Sequence, residues 1–538
     1  TFLPGPALAD TAITYDFIDI PWARVGTAEN AAYIDGISDD GSVVVGRYAR
    51  FATLDAAGGE YGEFVWNDAG IVRVREMLGS DVKTAGNLGV SADGSTIIGR
   101  MFLTSEVTRA FRFTNGVRTE IGLLPGTGPK SRSLALSADG SIVVGLSGGT
   151  EHQGDGLAFR WEDGVTTSLG DLPGGDFFSV PTGISADGSV VIGRSGSGSA
   201  HGVGFEAFRW EDGVMTGLGI LPGEDWSDAD AISEDGSTVV GSSQSADGGH
   251  TFRWKDGVME ALTPVPGWSF GCGVTAVSAD GSVVVGRRPV LQAESTLPGF
   301  QAFRWEEGTF TDLGIPPGEA APGVDLLPGA WSFASGVSRD GSVVCGHFEI
   351  DVGRAVYWSE ANDWKAIVLD ELLDEAGIDR EGYGLKEPRM TPDGSTFVGY
   401  ATNGDSVRLY RIRTTDPTHD PLIGGVSIEA QEGWFHSSWF GNYSTTFAPW
   451  LFHTEHGFLY RDPSSTNENM FVYDDAMDAW CWTNETVYPF IYAYNPPADN
   501  AGTEIDAEWL LYFEETKTPR SFGVVTGDQA GSFLFFGP

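Results

Sequence analysis

One short pattern recurs along most of this chain and constrains its fold more than any other feature. Ser-x-Asp-Gly-Ser, three apolar residues and Gly return with Asp-Gly pairs beginning at Asp40, Asp93, Asp139, Asp187, Asp235, Asp280, Asp340 and Asp393. The last copy has Thr391-Pro392 in place of Ser-x. Eight copies at intervals of 45 to 60 residues mean an array of one supersecondary unit, because self-similarity at a fixed period of this length is the mark of repeat folds.

Each unit has the same parts in the same order. In the third copy they are Leu134-Ala135-Leu136-Ser137, the Asp139-Gly140 turn, Ile142-Val143-Val144-Gly145, Ala158-Phe159-Arg160-Trp161, a second Asp163-Gly164 turn, Val165 to Gly170, and a closing Leu172-Pro173-Gly174. Asp-Gly between apolar runs signals a hairpin, since a type I′ turn needs positive φ at both central residues. Four antiparallel strands per unit predict a propeller blade, and a closed ring of blades leaves no long open edge. The eight aspartates therefore read as structural turn residues. Phe and Trp of the third strand share one face, so they are expected between neighbouring blades. The intervening Arg (Arg112, Arg160, Arg209, Arg253, Arg304) is expected to pair with an acid at the blade edge.

The strand count also predicts how the ring closes. The eighth copy supplies three strands, at 385–390, 395–399 and 407–412, and lacks a fourth. An orphan strand at 13–21 lies upstream of the first copy, and its Ile20-Pro21 ending matches the Leu-Pro of the other units. It is expected to complete the eighth blade from outside. The fold class is thus all-β: an N-terminal extension (1–10), an eight-bladed propeller of four-stranded blades (11–413), a linker with two Asp-Pro pairs (414–427) and a small aromatic-rich antiparallel β domain (428–538) with 25 Phe, Trp and Tyr in its 111 positions.

The repeats and the C-terminal segment carry a family resemblance. The units at 133–175 and 183–223 resemble the extracellular HAF-type repeats of bacterial surface proteins. The last domain is similar to aromatic-rich segments of Verrucomicrobia-like surface proteins. The resemblance implies a secreted, extracellular or cell-surface propeller without established enzymatic activity, and it supplies no catalytic residue. Thr1 in place of Met is read as the start of a mature chain after signal removal, with Ala7-Leu8-Ala9 as the alternative, itself the remnant of a cleavage site.

Composition excludes several classes of partner. With 32 Lys and Arg against 75 Asp and Glu the net charge is −43, which argues against nucleic acid and anionic lipid as partners. No apolar run reaches the ~18 residues that span a bilayer. No phosphate loop, nucleophile elbow or dinucleotide fingerprint occurs. No cofactor is expected; calcium is the one cation considered, and the acid-rich loops 151–155 and 223–230 are its best places. His453 and His456 stand three apart in a β context rather than on a zincin helix, and Cys345 lies in an apolar run as a buried thiol.

Two functions remain. The first is a non-enzymatic structural or adhesive protein that self-associates or meets other surface proteins and glycans, as the protomer of a filament or layer. Phe2 and Leu3 at one end, and Phe533, Leu534, Phe535 and Phe536 at the other, are its candidate assembly residues. The second is an extracellular polysaccharide-binding protein or polysaccharide-degrading propeller enzyme. Trp226, Trp268 and Trp331, placed alike after the Pro-Gly closures, are its candidate stacking residues.

Overall fold

The computed structural model describes residues 12–20, 30–50, 60–104, 106–148, 156–200, 204–245, 248–262, 273–290, 299–314, 331–349, 353–404 and 406–415, and beyond these the strands between 419 and 536. The chain divides into two compact units, one spanning Tyr15–Arg413 and the other holding the residues from Thr414 onward.

The first unit is an eight-bladed propeller. Seven four-stranded antiparallel sheets follow one another along the chain, from Asn30–Arg73 (blade one) to Trp331–Val368 (blade seven). The eighth sheet joins Gly384–Met390, Thr396–Asn403 and Ser406–Thr415 to Ala12–Asp19, which lies outermost beside Ser406–Thr415. The expected closure from the N-terminal side is therefore what the ring uses. In blade seven the fourth strand shrinks to Ile367–Val368, and a helix, Leu369–Glu375, follows it.

The eight repeat turns are built alike: only their Gly has positive φ, so they are not the expected type I′ turns, whereas both residues are positive at Asp163-Gly164, Asp212-Gly213 and Asp256-Gly257. In blade three the Ser137 hydroxyl donates to Asp139 Oδ1 (2.6 Å), the Ser141 amide donates to the same oxygen (2.9 Å), and Ser137 Oγ accepts from the Ile142 amide (3.0 Å). The carboxylate thus replaces backbone partners that a tight turn would leave unmet. Around the ring, the residue between Ser and Asp joins each blade to the next. Asp39 N–H donates to Ala92 O, Ala92 to Ala138, Ala138 to Ala186 and Ala186 to Glu234, at 2.8–2.9 Å. Asp235 then bonds Ala279, Ala279 bonds Arg339 and Arg339 bonds Pro392. Pro392 has no N–H, so the belt ends at the seam between blades eight and one.

The core is distributed between blades. Ile98, Ala110, Ile121 and Leu124 of blade two pack on Val143, Leu157, Phe159 and Trp161 of blade three, and the same kind of seam recurs around the ring. The third-strand Arg locks each seam. Arg112, Arg209, Arg253 and Arg304 each reach the Asp-Gly carbonyl of the next blade and lie 4.6–5.9 Å over its Trp. Arg160, Arg209, Arg253 and Arg304 also pair with Glu162, Glu211, Glu260 and Glu306.

The second-strand Gly admits no side chain. A Cβ on Gly145 would lie 2.1 Å from Arg132 O. Gly145→Ala is expected to destabilise the propeller by about 3 kcal/mol, an overpacking cost that backbone must absorb; a urea midpoint equal to that of the parent protein would contradict this packing.

The second unit is a meander. Twelve strands from His419–Asp420 to Phe533–Phe536 each pair antiparallel with the next, and the last stands at one end of the sheet.

Candidate functional site

All eight inner strands carry a bulge in their pairing with the second strand, at Asp35, 87–88, Leu134, Thr182, Asp230, Thr275, Ser335 and 387–388. A bulge re-aims one side chain, and here it does so on the strands that line the central channel. Where the bulged residue is a hydroxyl it stitches blades: Thr182 donates to Ala229 O (2.6 Å), Thr275 to Ala334 O (2.8 Å) and Ser335 to Pro388 O (2.9 Å). In blades one, five and eight the same place holds a carboxyl: Asp35, Asp230 and Glu387.

Desolvation by surrounding protein raises the pKa of all three acids, although Asp230 and Glu387 keep contact with solvent and Asp35 is half-buried. Asp35 is held up by desolvation against the pull of Arg47 and Arg389. Glu387 is raised the same way. Solvent reaches Asp230, but protein surrounds it, and desolvation together with the neighbouring Asp228 charge pushes its carboxyl up to about 7. Asp228 is 9% exposed; Arg194 donates to its Oδ2, while Oδ1 is buried without a partner.

The blades run from an end formed by the Asp-Gly turns to an opposite end, where strand two hands over to strand three. The turn end of the channel is bridged by Arg339 of blade seven. Its Nε lies 2.7 Å from Glu234 Oε2 of blade five, and its Nη2 lies 3.0 Å from Asp39 Oδ2 of blade one. These are the variable residues of the Ser-x-Asp-Gly pattern, and the charged ones among them meet across the axis.

The other end carries two matching aromatic–guanidinium groups. Trp226 opens the inner strand of blade five. Its ring lies 4.7 Å from that of Phe205 in blade four, and the Arg194 guanidinium lies 5.3 Å over Phe205. Trp331 opens the inner strand of blade seven. It lies 5.9 Å from Phe300 of blade six, and Arg287 lies 5.0 Å over Phe300. The positions are equivalent by register: Arg194 faces Ala207 and Arg287 faces Ala302, each two residues after the Phe. Each Trp directly precedes the Ser (Ser227, Ser332) whose hydroxyl accepts from that Ala amide at 2.9 Å. Both Trp rings are half-buried, so they seal a blade junction and still present a face to solvent.

The remaining candidates are dispersed. Trp268, Phe2 and Leu3 lie outside the described residues, as does the loop 151–155; Phe533–Phe536 is a strand of the second unit. The acids of 223–230 are drawn to separate partners, Glu224 to His250 (2.8 Å) and Asp228 to Arg194, and among the described residues no three His, Cys, Asp or Glu gather as metal ligands. Cys345 is buried beside Pro388 O, and burial pushes its thiol up to about 11. Asp35, Glu387, the Arg339 bridge and the two arginines carry no motif in the sequence, and Asp230 is marked there only as part of the acid-rich loop 223–230. The signal that marks the bridge and the arginines is the set of repeat columns that vary between copies; the pattern itself sits in the columns that do not vary.

No family model matches the chain, and no curated protein matches it. Solved structures that resemble it are propellers. An oligogalacturonate lyase in complex with manganese is 13% identical over 75% of this chain and 97% of its own, with a TM-score of 0.38. A prolyl endopeptidase structure is 11% identical over 70% of this chain and 55% of its own, with a TM-score of 0.41. TolB from Acinetobacter baumannii is 14% identical over 52% of this chain and 62% of its own, with a TM-score of 0.29. These enzymes and a non-enzyme share blades with this chain, and at such distances nothing passes from their activities to it.

Proposed function

We propose that this protein is a non-enzymatic, secreted or cell-surface adhesive protein whose propeller binds polysaccharide at the channel end opposite the Asp-Gly turns. The observation that carries the reading is the pair of Trp–Phe–Arg groups at equivalent positions of blades four/five and six/seven. Half-exposed indole faces offer the flat apolar surface that a pyranose ring covers, and an arginine beside each offers fixed donors to ring oxygens. Two such platforms two blades apart suit an extended chain rather than a monosaccharide. The Arg339 bridge supports access from one end only.

Affinity electrophoresis against a panel of neutral and acidic polysaccharides tests this. Trp226→Ala and Trp331→Ala are each expected to weaken retention about tenfold, the loss of one aromatic contact worth roughly 1.4 kcal/mol, with folding checked by thermal midpoint. Retention of the parent by no polysaccharide in the panel overturns the reading. Release of new reducing ends from a retained polysaccharide overturns its non-enzymatic part.

A second reading, self-association into a filament or layer, is favoured by one observation. Phe533–Phe536 is the end strand of a twelve-stranded sheet and pairs on one side with Arg520–Val524. An end strand is a template for a strand from another copy.

A further inference from the structure

The two aromatic–guanidinium groups differ at one position, and the difference decides their charge. The residue after the bonding Ser is Asp228 in blade five and Phe333 in blade seven. Asp228 takes the charge of Arg194. Phe333 cannot do the same for Arg287. Instead the guanidinium lies 5.3 Å over the Phe333 ring as well as 5.0 Å over Phe300, and Phe333 stacks on His347 at 4.9 Å. Among the described residues Arg287 has neither an ion pair nor a hydrogen bond to a carboxylate. The adjacent Arg288 has both, through Nε to Asp312 Oδ1 (2.6 Å) and Nη2 to Oδ2. Arg287 is exposed, so its donors are open to a ligand.

We propose that the Arg287 group binds the anionic substituent, a carboxylate or a sulfate ester, of a sugar residue stacked on Trp331, while the Arg194 group takes a neutral sugar. This rests on the polysaccharide-binding reading and adds its charge specificity. A guanidinium presents a planar fork that fits either anion bidentately. Held over two ring faces it is partly desolvated, and it gains more from an incoming anion than a fully hydrated cation does. The −43 net charge of the chain is not an obstacle at this range, because at physiological salt charges beyond about 8 Å are screened. The opposing local charge is Glu349, which pairs in register with Trp331 and acts on His347.

The test is titration calorimetry of the full chain at 0.15 M salt with three probes: an oligouronate, a sulfated glucan oligosaccharide and the unsulfated glucan. At least one anionic probe is expected to bind ten times more tightly than the neutral one, and which of the two does so identifies the substituent. Arg287→Gln should remove that preference, weakening the anionic probe about tenfold more than the neutral one. Arg287→Lys should restore part of it. Phe333→Asp, which copies the blade-five arrangement, should abolish it, and Glu349→Gln should strengthen it. Equal affinity of the parent for neutral and anionic probes overturns this inference and leaves the polysaccharide reading standing. An anion preference that survives both Arg287→Gln and Phe333→Asp also overturns it. Binding of none of the three probes overturns both.

Discussion

A chain lacking residues 1–20 is expected to lose the propeller's cooperative thermal transition or to shift it down by more than about 5 °C. The removed strand is local to nothing in sequence and essential to the ring. Asp16 accepts from Arg411 Nη2 (3.0 Å) and Nε (3.2 Å) and from Arg413 Nη1 (3.2 Å). Arg411 is 5% exposed at its side chain, reaches Gly41 O of blade one (3.1 Å), and lies 5.0 Å over Trp66. One guanidinium therefore ties the last blade's closure strand to the first blade. Without Asp16 its remaining carboxylate partner among the described residues is Asp68, which is exposed. Stripping one side of a buried ion pair costs about 3–5 kcal/mol, which the half-exposure of Asp16 reduces toward the lower figure. Ile20 adds an apolar term of similar size: it is 3% exposed among Val44, Phe64, Trp66 and Leu409, and a large-to-small change there costs about 2–5 kcal/mol. Unfolding entropy of ~2.1 cal/mol/K per residue makes each kcal/mol worth roughly 1 °C in a domain of this size. Calorimetry on the truncated chain, with and without a synthetic peptide of residues 12–20, measures both the loss and its repair. An unchanged midpoint in the truncated chain means the seam is held by other contacts.

The seam was legible because strand counting needs only local signals. Asp-Gly turns, apolar triplets and Phe-Arg-Trp each fix a hairpin or a face within a few residues, and three strands at one end with an orphan at the other leave one way to close. Other features have no local signature. A bulge such as that at Asp230 is an extra residue in a pairing, and it shows only when two strands are aligned in space. The Arg339 bridge joins residues 105 and 300 positions away. Trp226 and Trp331 were visible because their placement after Pro-Gly is regular. The arginines that complete their groups follow the second-strand Gly, a column that also holds Arg47 and Arg100 and elsewhere Leu146, Ser242, His347 and Tyr400, so an Arg in that column does not by itself mark the two groups. Repetition in this chain encodes the ring, and chemistry resides where copies disagree. The closing helix of blade seven, Leu369–Glu375, is another such departure: its Asp370 binds the Leu385 amide and Arg380, doing with a side chain what a longer fourth strand would do with backbone.

The same division predicts how stability depends on pH, and the effect is large because it is summed over the ring. Seven turn carboxyls, Asp40, Asp93, Asp139, Asp187, Asp235, Asp280 and Asp340, lie below their ordinary value of 3.8. Burial works against ionisation in most of them, yet the Ser hydroxyl and the following amide outweigh it; at Asp187 the Ser185 hydroxyl is the largest influence. A carboxyl whose folded pKa is depressed contributes stability above its unfolded value, and that contribution is lost as pH falls through the folded value. Seven turns in one cooperative ring should therefore give a steep acid limb below about pH 4. The channel acids have the opposite sign. Asp230 is raised to about 7, and Asp35, Asp228 and Glu387 are raised as well, mainly by desolvation. Their contribution is complete below their unfolded values and declines as pH rises through the folded ones, for Asp230 between about 4 and 7. Stability is thus expected to peak near pH 4–5, on the acid side of neutrality. Urea denaturation from pH 2.5 to 8.5 measures it, at two salt concentrations so that the general repulsion of an acidic chain, which salt screens, is separated from these specific groups. Asp230→Asn should flatten the limb between pH 4 and 7 and leave the acid limb intact, whereas Asp187→Asn should lower stability at pH 7 and make the acid limb shallower. A variant at Asp230 whose pH profile overlays that of the parent would show that this carboxyl does not hold its proton in the folded ring.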